Sequence, residues 1–339
     1  MRQSGANSGP SLSPNRQNPP MNAIPKIPPA AIGPASREFY VRPADDKFTT
    51  YGISPLKHNF HEHPLMQLPR LAELARSLQK TNQCRYIVPG TKQTSSFDHE
   101  SNSRDGRTVD EVFARIEETG SWIALYNVQT DPTYAKFLRE VVETMRPQIE
   151  ADQGEIFKVA GFFFISAPPS VTPFHIDREN NLWLQVAGRK VMNVWDHRDR
   201  HVVAGADVDH FIKYGGLDNV RLRDGYRERS REFDVGPGDG VYFPSTSPHM
   251  TSTTTDWVRA GDGVSISIGV VFYTRHTWRH ANIHVCNLLL RKLGIEPNMP
   301  GANGVVDFLK FWVGRMGTWF DRRFRRYQPS HGLTLSRDS

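Results

Sequence analysis

Thirteen histidines are spread through the 339 residues, and few of them sit where their chemistry would be directed. His175 and Asp177 do. They stand two apart in Thr172-Pro173-Phe174-His175-Ile176-Asp177, soon after a segment rich in Phe, Ile and Val. On an extended chain residues i and i+2 project to the same side, so one imidazole and one carboxylate leave a strand end together. His249 is the natural third donor, because it follows the turn Pro237–Gly240 and the strand Val241-Tyr242-Phe243-Pro244. Two imidazoles and a carboxylate on one face of a metal leave three positions open, a set suited to an Fe(II) centre that must bind a cosubstrate and O2 together. A hydrogen-bonded His–Asp couple without metal satisfies the same spacing. Of the other histidines, His58, His61 and His63 fall in a segment with no strand period. His197 and His201 lie in a charged loop, where solvent exposure is expected.

The donors need a scaffold, and the surrounding segments supply one. Phe157–Ile165, Leu182–Val186, Arg189–Trp195, Val241–Phe243 and Val264–Tyr273 are short runs of Val, Ile, Phe and Trp. Ala187-Gly188 and Pro237-Gly238-Asp239-Gly240 punctuate them as turns. Many short strands joined in this way predict a sandwich or barrel. Between them, Asp196–Glu232 is long, polar and crowded with Arg, Asp and His, and reads as a functional loop. Lys190 sits in an apolar strand with Met192 and Val194 on its face, where an unpaired ammonium is costly. Its alternative is to snorkel out of a hairpin. Arg189 faces the other way.

Helices are expected on either side. Leu65–Leu78 and Val109–Ile116 carry apolar residues at helical spacing, and Ser121–Val128 is β-rich. Asp131 caps a helix that Pro132 opens and that continues through Phe137, Val141, Met145 and Ile149. Trp278–Leu293 is a further helix. Val305, Phe308, Leu309, Trp312, Val313, Met316, Trp319 and Phe320 then form one apolar stripe on Val305–Phe324. That stripe is expected to be buried, against the chain's own barrel or against a second copy.

Charge and composition exclude several classes. The net charge of +6 lies in the ends: residues 1–37 hold four basic residues and no acidic one, and residues 301–339 hold seven basic and three acidic. The middle is nearly neutral, so no basic groove for nucleic acid is expected. Residues 1–37 also contain eight of the 24 prolines and read as a disordered tail. Arg322, Arg323, Arg325 and Arg326 suit a helix C-terminus. Two cysteines, Cys84 and Cys286, rule out a disulfide scaffold and a Cys-based zinc site. No run of 18 uncharged apolar residues and no secretory signal is present, so a cytoplasmic protein without membrane contact is expected.

The order and spacing of several separate elements carry a resemblance. Thr172 to Asp177, Asn181, Gln185 to Lys190, Pro237 to Asp239 and His249 match the pattern Thr-Pro-x-His-x-Asp, Asn, Gln-x-x-Gly-x-Lys, Pro-Gly-Asp and a distal His. Over roughly Phe157–Tyr273 the chain resembles the JmjC and cupin-like 2-oxoglutarate oxygenases, in the branch of the asparaginyl hydroxylase of hypoxia-inducible factor. The resemblance implies a mainly β fold: a double-stranded β-helix (jelly roll) flanked by N- and C-terminal helices. It implies His175, Asp177 and His249 as iron ligands, Lys190 and Thr172 on the distal carboxylate of 2-oxoglutarate, and Asn181 as a polar residue lining the site. Arg275 is the alternative anchor for that carboxylate. The cofactors implied are Fe(II), 2-oxoglutarate and O2.

The expected organisation is a tail over 1–37, an extension over 38–155, the β-helix over 156–274, C-terminal helices over 275–329 and a tail over 330–339. The expected activity is hydroxylation, or oxidative demethylation, of a peptide side chain or small metabolite. The branch dimerises through C-terminal helices, which leans toward a homodimer here. A cupin of another reaction type would keep the barrel without needing Lys190. A non-catalytic regulator would keep only the fold.

Overall fold

A computed structural model of the protein describes residues 38–86, 108–118, 122–258 and 263–324. The expected tails over 1–37 and 330–339, with Arg325 and Arg326, lie outside the described residues. The chain opens with strands β1 (Val41–Pro43) and β2 (Ser54–His58), helix α1 (Leu68–Gln79), β3 (Cys84–Tyr86), α2 (Val109–Ala114) and β4 (Trp122–Leu125). Helices α3 (Pro132–Glu143) and α4 (Arg146–Gln153) lead into β5 (Ile156–Ser166), β6 (Ser170–His175), β7 (Asn180–Ala187) and β8 (Lys190–Val194). Then come α5 (Gly205–Tyr214), β9 (Arg231–Val235), β10 (Asp239–Phe243), β11 (His249–Thr253) and β12 (Ser265–Thr274). Helices α6 (Arg275–Lys292) and α7 (Gly304–Phe324) close the described chain.

The strands form two antiparallel sheets. The larger runs β1-β2-β10-β7-β12-β5-β4-β3 and the smaller β6-β11-β8-β9. From β5 onward consecutive strands switch sheets at every step except β8 to β9, and the β7–β8 and β9–β10 corners are built on glycine. Gly188 (φ 61°) and Gly238 (φ 90°) take the left-handed backbone that those corners require. The sheets face one another: Trp183, Val241 and Phe243 of the large sheet pack with Met192, Val194 and Val235 of the small one. This is a double-stranded β-helix with helical additions before and after it.

Strand β12 shows how the layers form. All of its residues are buried because both of its faces are covered. Ile266, Ile268, Val270 and Phe272 join the main core with Leu71 and Leu74 of α1 and Phe137, Leu138 and Val141 of α3. Each such fully buried side chain contributes about 1.5–3 kcal/mol. The alternate positions Ser267 and Gly269 turn inward between the sheets. Helix α3 lies close on β5 because Gly161 has no side chain: a Cβ there would meet Leu138 at 2.6 Å. Asp131 accepts the N–H groups of Thr133 (2.9 Å) and Tyr134 (3.3 Å) and starts α3 as expected. The expected single helix through Ile149 divides into α3 and α4, since Pro147 has no N–H to donate back to Glu143.

Two expectations are corrected. The segment before β5 adds four strands, a pair at each edge of the large sheet, where only Ser121–Val128 reads as β-rich. The Asp196–Glu232 insert is no open loop: it folds α5, whose Val208, Phe211 and Ile212 form a second core with Phe174, Trp195 and Met250. Among the described residues no helix is long and apolar enough to cross a membrane.

Candidate metal centre

His175 ends β6 and His249 begins β11, and the ladder places them directly opposite one another. Their ring centroids are 4.0 Å apart. Asp177, two residues past His175, brings Oδ1 to 3.9 Å from His175 Nε2 and Oδ2 to 3.5 Å from His249 Nε2. One donor atom from each residue lies within 4.8 Å of the others, and no other such group of three occurs among the described residues.

Backbone carbonyls fix which nitrogen faces inward. His175 Nδ1 lies 2.8 Å from the Pro173 carbonyl, and His249 Nδ1 lies 3.0 Å from the Ser247 carbonyl. A carbonyl only accepts, so Nδ1 carries the proton in both rings and the Nε2 lone pairs converge on the carboxylate. Metal-bound histidines are oriented by this second hydrogen bond. Burial, followed by the neighbouring His249 ring, holds His175 well below the ordinary imidazole value, in the neutral form a metal requires. The turn bearing Asp177 is tied down from the β10–β11 loop. Thr246 N–H donates to the Asp177 carbonyl at 2.8 Å, and Ser245 N–H donates to Asn180 Oδ1 at 3.0 Å. Thr246 holds a left-handed backbone (φ 63°), unusual for a β-branched residue. The donor set fits a divalent transition metal with open positions.

All three donors open into a cavity of about 390 Å³ between the sheets. Thr172, Asn181 and Lys190 line the same cavity, so the structure brings together all six residues singled out in the sequence. Lys190 is 3% exposed, and its Nζ lies 3.0 Å from Ser267 Oγ. No carboxylate pairs with it among the described residues, and burial pushes its ammonium down to about 7. Asn181 Oδ1 has no hydrogen-bond partner among the described residues, and Gly269 opposite leaves it room, since a Cβ there would come within 3.3 Å. Arg275, the alternative anchor, lies elsewhere: it is exposed at the start of α6, 3.7 Å from Glu155. Arg189 is also on the surface, paired with Asp234.

The histidines outside the triad divide. His58 is buried with Nε2 against the carbonyls of Gln185 (3.0 Å) and Asp239 (3.1 Å), a structural role. His197 is not the exposed loop residue expected. Its side chain is 24% exposed, because it faces His276 of α6 across a cavity wall.

Several cavity residues escape sequence reasoning. Ser267 and Gly269 left a trace, since Ser265-Ile266-Ser267-Ile268-Gly269 alternates small with apolar residues. Arg178 carries its guanidinium to the C-terminal turn of α5, donating to the carbonyls of Phe211 (2.9 Å) and Ile212 (3.2 Å). It thereby ties the insert to the turn of Asp177. At the other end Arg85 lies over the Tyr126 ring at 4.5 Å, beside Phe162 and Phe164. No local pattern marks Arg85, because β3 and β4 reach the site only through the edge of the sheet.

No protein-family model matches the chain, and no curated protein matches it. Among solved structures it is similar to YcfD of Escherichia coli, a ribosomal oxygenase, at 15% identity, covering 88% of this chain and 75% of that one with a TM-score of 0.43. A second YcfD structure, in complex with cobalt and 2-oxoglutarate, matches at 18% identity over 87% and 74% with a TM-score of 0.40. The α-ketoglutarate-dependent carbocyclase SnoK matches at 12% identity over 66% and 80% with a TM-score of 0.38. At these scores the likenesses decide nothing about the reaction.

Proposed function

We propose that the protein is an Fe(II)- and 2-oxoglutarate-dependent dioxygenase that hydroxylates, or oxidatively demethylates, a peptide side chain or small metabolite. The observation that carries this reading is the pairing of two features in one cavity: three converging metal donors and a buried ammonium without a carboxylate. His175 and His249 through Nε2, with the Asp177 carboxylate, would hold the metal. Iron and 2-oxoglutarate, when bound, supply the oxidising chemistry, in which O2 is consumed, 2-oxoglutarate leaves as succinate and CO2, and a C–H bond is hydroxylated.

The chain's own residues position and shield. Lys190 offers its charge to the distal carboxylate of 2-oxoglutarate, and the Thr172 hydroxyl donates to the same group. Asn181 Oδ1 is left to accept a hydrogen bond from whatever enters. Phe162, Phe164, Trp183 and Phe211 keep the cavity dry enough for these charges to act strongly. Succinate formation from 2-oxoglutarate with Fe(II) and ascorbate tests the reading. A protein that binds the metal yet forms no succinate belongs with the non-catalytic or differently reacting cupins.

The same proposal includes a homodimer through α7. Of the two expected covers for the stripe, the chain's own barrel is not the one used. Asp307, Lys310 and Asp321 are buried toward the protein, while all eight residues of the apolar stripe are between 48% and 75% exposed. Gly314 makes the close approach to α6, where a Cβ would meet the Asn282 carbonyl at 1.8 Å. The polar face is satisfied: Lys213 pairs with Asp321 at 2.8 Å and Lys310 donates to the Asn298 carbonyl at 2.9 Å. The chain's own barrel does not cover the stripe. So large an exposed apolar face suits a second copy about a two-fold axis.

A further inference from the structure

A second cavity of about 470 Å³ lies behind the metal centre, and the two cavities share no lining residue. Its wall carries His276, His280 and His284, one helical turn apart on α6, with His197, Arg198 and Arg200 from the loop after β8. Among the described residues no Asp or Glu lines it. We propose that this cavity binds a small oxyanion ligand, a molecule bearing phosphate or several carboxylates, with Arg200 as its anchoring charge.

Charge is the first argument. Arg200 is half-buried, and burial pushes its guanidinium down to about 10, so it stays positive at neutral pH. Among the described residues its Nε has no hydrogen-bond partner, and Nη1 reaches only the Val203 carbonyl at 3.5 Å. Asp209, Asp196 and Asp199 act on the guanidinium through space, but none bonds its enclosed Nε, which an anion would complete.

The imidazoles are the second argument. The His276 and His280 rings lie 3.9 Å apart, and neither has a hydrogen-bond partner among the described residues. Burial comes first among the causes holding His280 near about 2 and His197 near about 4. At neutral pH these rings are therefore N–H donors without charge. His284 is oriented by Asp209 at 2.6 Å, which Arg291 neutralises from the other side at 2.8 Å.

A divalent metal is the competing occupant, because two neutral imidazoles four apart on a helix can chelate one. Arg200 and the adjacent Arg279 oppose it, while Arg198 is already paired with Asp196 at 2.8 Å. The volume is that of a metabolite pocket rather than a single ion. The floor of the cavity includes Asn180, Ser245 and Thr246, the residues that hold the turn of Asp177. A ligand there would touch the back of the metal centre.

Isothermal titration of the metal-free protein with pyrophosphate and, separately, citrate tests the assignment and distinguishes phosphate from carboxylate ligands. The expected result is one site per chain for at least one of the two. Binding should weaken at least tenfold in Arg200→Gln and in His276→Asn, each checked by circular dichroism, and persist in Lys190→Ala. The His276→Asn arm decides the matter if Arg200→Gln fails to fold. Absence of binding by both anions at millimolar concentration overturns the proposal. So does binding lost in Lys190→Ala but kept in the cavity variants, which would place the anion in the catalytic cavity. Co(II) binding to His175→Ala protein that disappears on adding His276→Asn would make the second cavity a metal site instead, and would equally overturn it.

Discussion

Lys190 and Ser267 meet across the two sheets, Nζ to Oγ at 3.0 Å, and that hydroxyl is the ammonium's one hydrogen-bond partner among the described residues. A charge-assisted hydrogen bond from Lys190 to a carboxylate contributes about 1.5–3 kcal/mol, and about 1.4 kcal/mol is tenfold in affinity. Lys190→Ala is therefore expected to raise the KM for 2-oxoglutarate roughly 10- to 100-fold while the metal still binds. Lys190→Arg should rescue only in part, because the planar guanidinium needs more room. Thr172→Val should raise the same parameter less. An unchanged KM in Lys190→Ala would remove the anchor from this residue.

The same lysine sets a pH dependence. Burial brings its ammonium from 10.5 down to about 7, so the free protein loses the charge as pH rises through neutrality. Binding of 2-oxoglutarate then requires proton uptake, and its KM should increase between about pH 7 and 9. Lys190→Arg, charged throughout, should flatten the profile. A wild-type KM that is constant over that range contradicts the assignment.

Acid should weaken the fold through buried imidazoles held neutral. Burial is the main cause holding His58 and His197 at about 4 in the folded chain, against about 6.5 unfolded. Below 6.5 the unfolded state binds more protons, so stability is full above that value and declines as pH falls toward 4. Urea midpoints at pH 7.5, 6 and 5 should fall in that order, and His58→Gln should reduce the slope. Equal midpoints at all three values would show that these rings are not held neutral.

Helix α7 offers a prediction about assembly. Light scattering should give a dimer for the intact protein. Trp312→Arg, placed in the 48% exposed centre of the stripe, should give a monomer with unchanged helix content. A native monomer ends the dimer.

What the sequence reveals and conceals follows from the range of each interaction. The i, i+2 spacing of His175 and Asp177 and the apolar runs of β5, β7, β8, β10 and β12 are local, and both are legible. The outer strands are not: β2 reads Ser-Pro-Leu-Lys-His, without alternation, and becomes a strand by pairing with β1 and β10. Val208, Phe211 and Ile212 of α5 carry a helical spacing that the surrounding Arg, Asp and His obscure. The stripe of α7 is plain in the sequence, but periodicity does not tell which face a helix turns to its neighbour; Gly314 and the buried Asp307 and Lys310 decide that. Lys190 and Ser267, 77 positions apart, meet only through the fold.

Anaerobic absorption spectroscopy of the protein with Fe(II) and 2-oxoglutarate tests the central claim most directly, because a 2-oxoacid chelated to Fe(II) gives a visible charge-transfer band. The predicted result is a band that saturates at one Fe(II) per chain, is absent in His249→Ala, and needs roughly 10- to 100-fold more 2-oxoglutarate in Lys190→Ala. No band in the native protein, or an undiminished band in His249→Ala, would contradict a metal held by His175, Asp177 and His249 beside the Lys190 anchor.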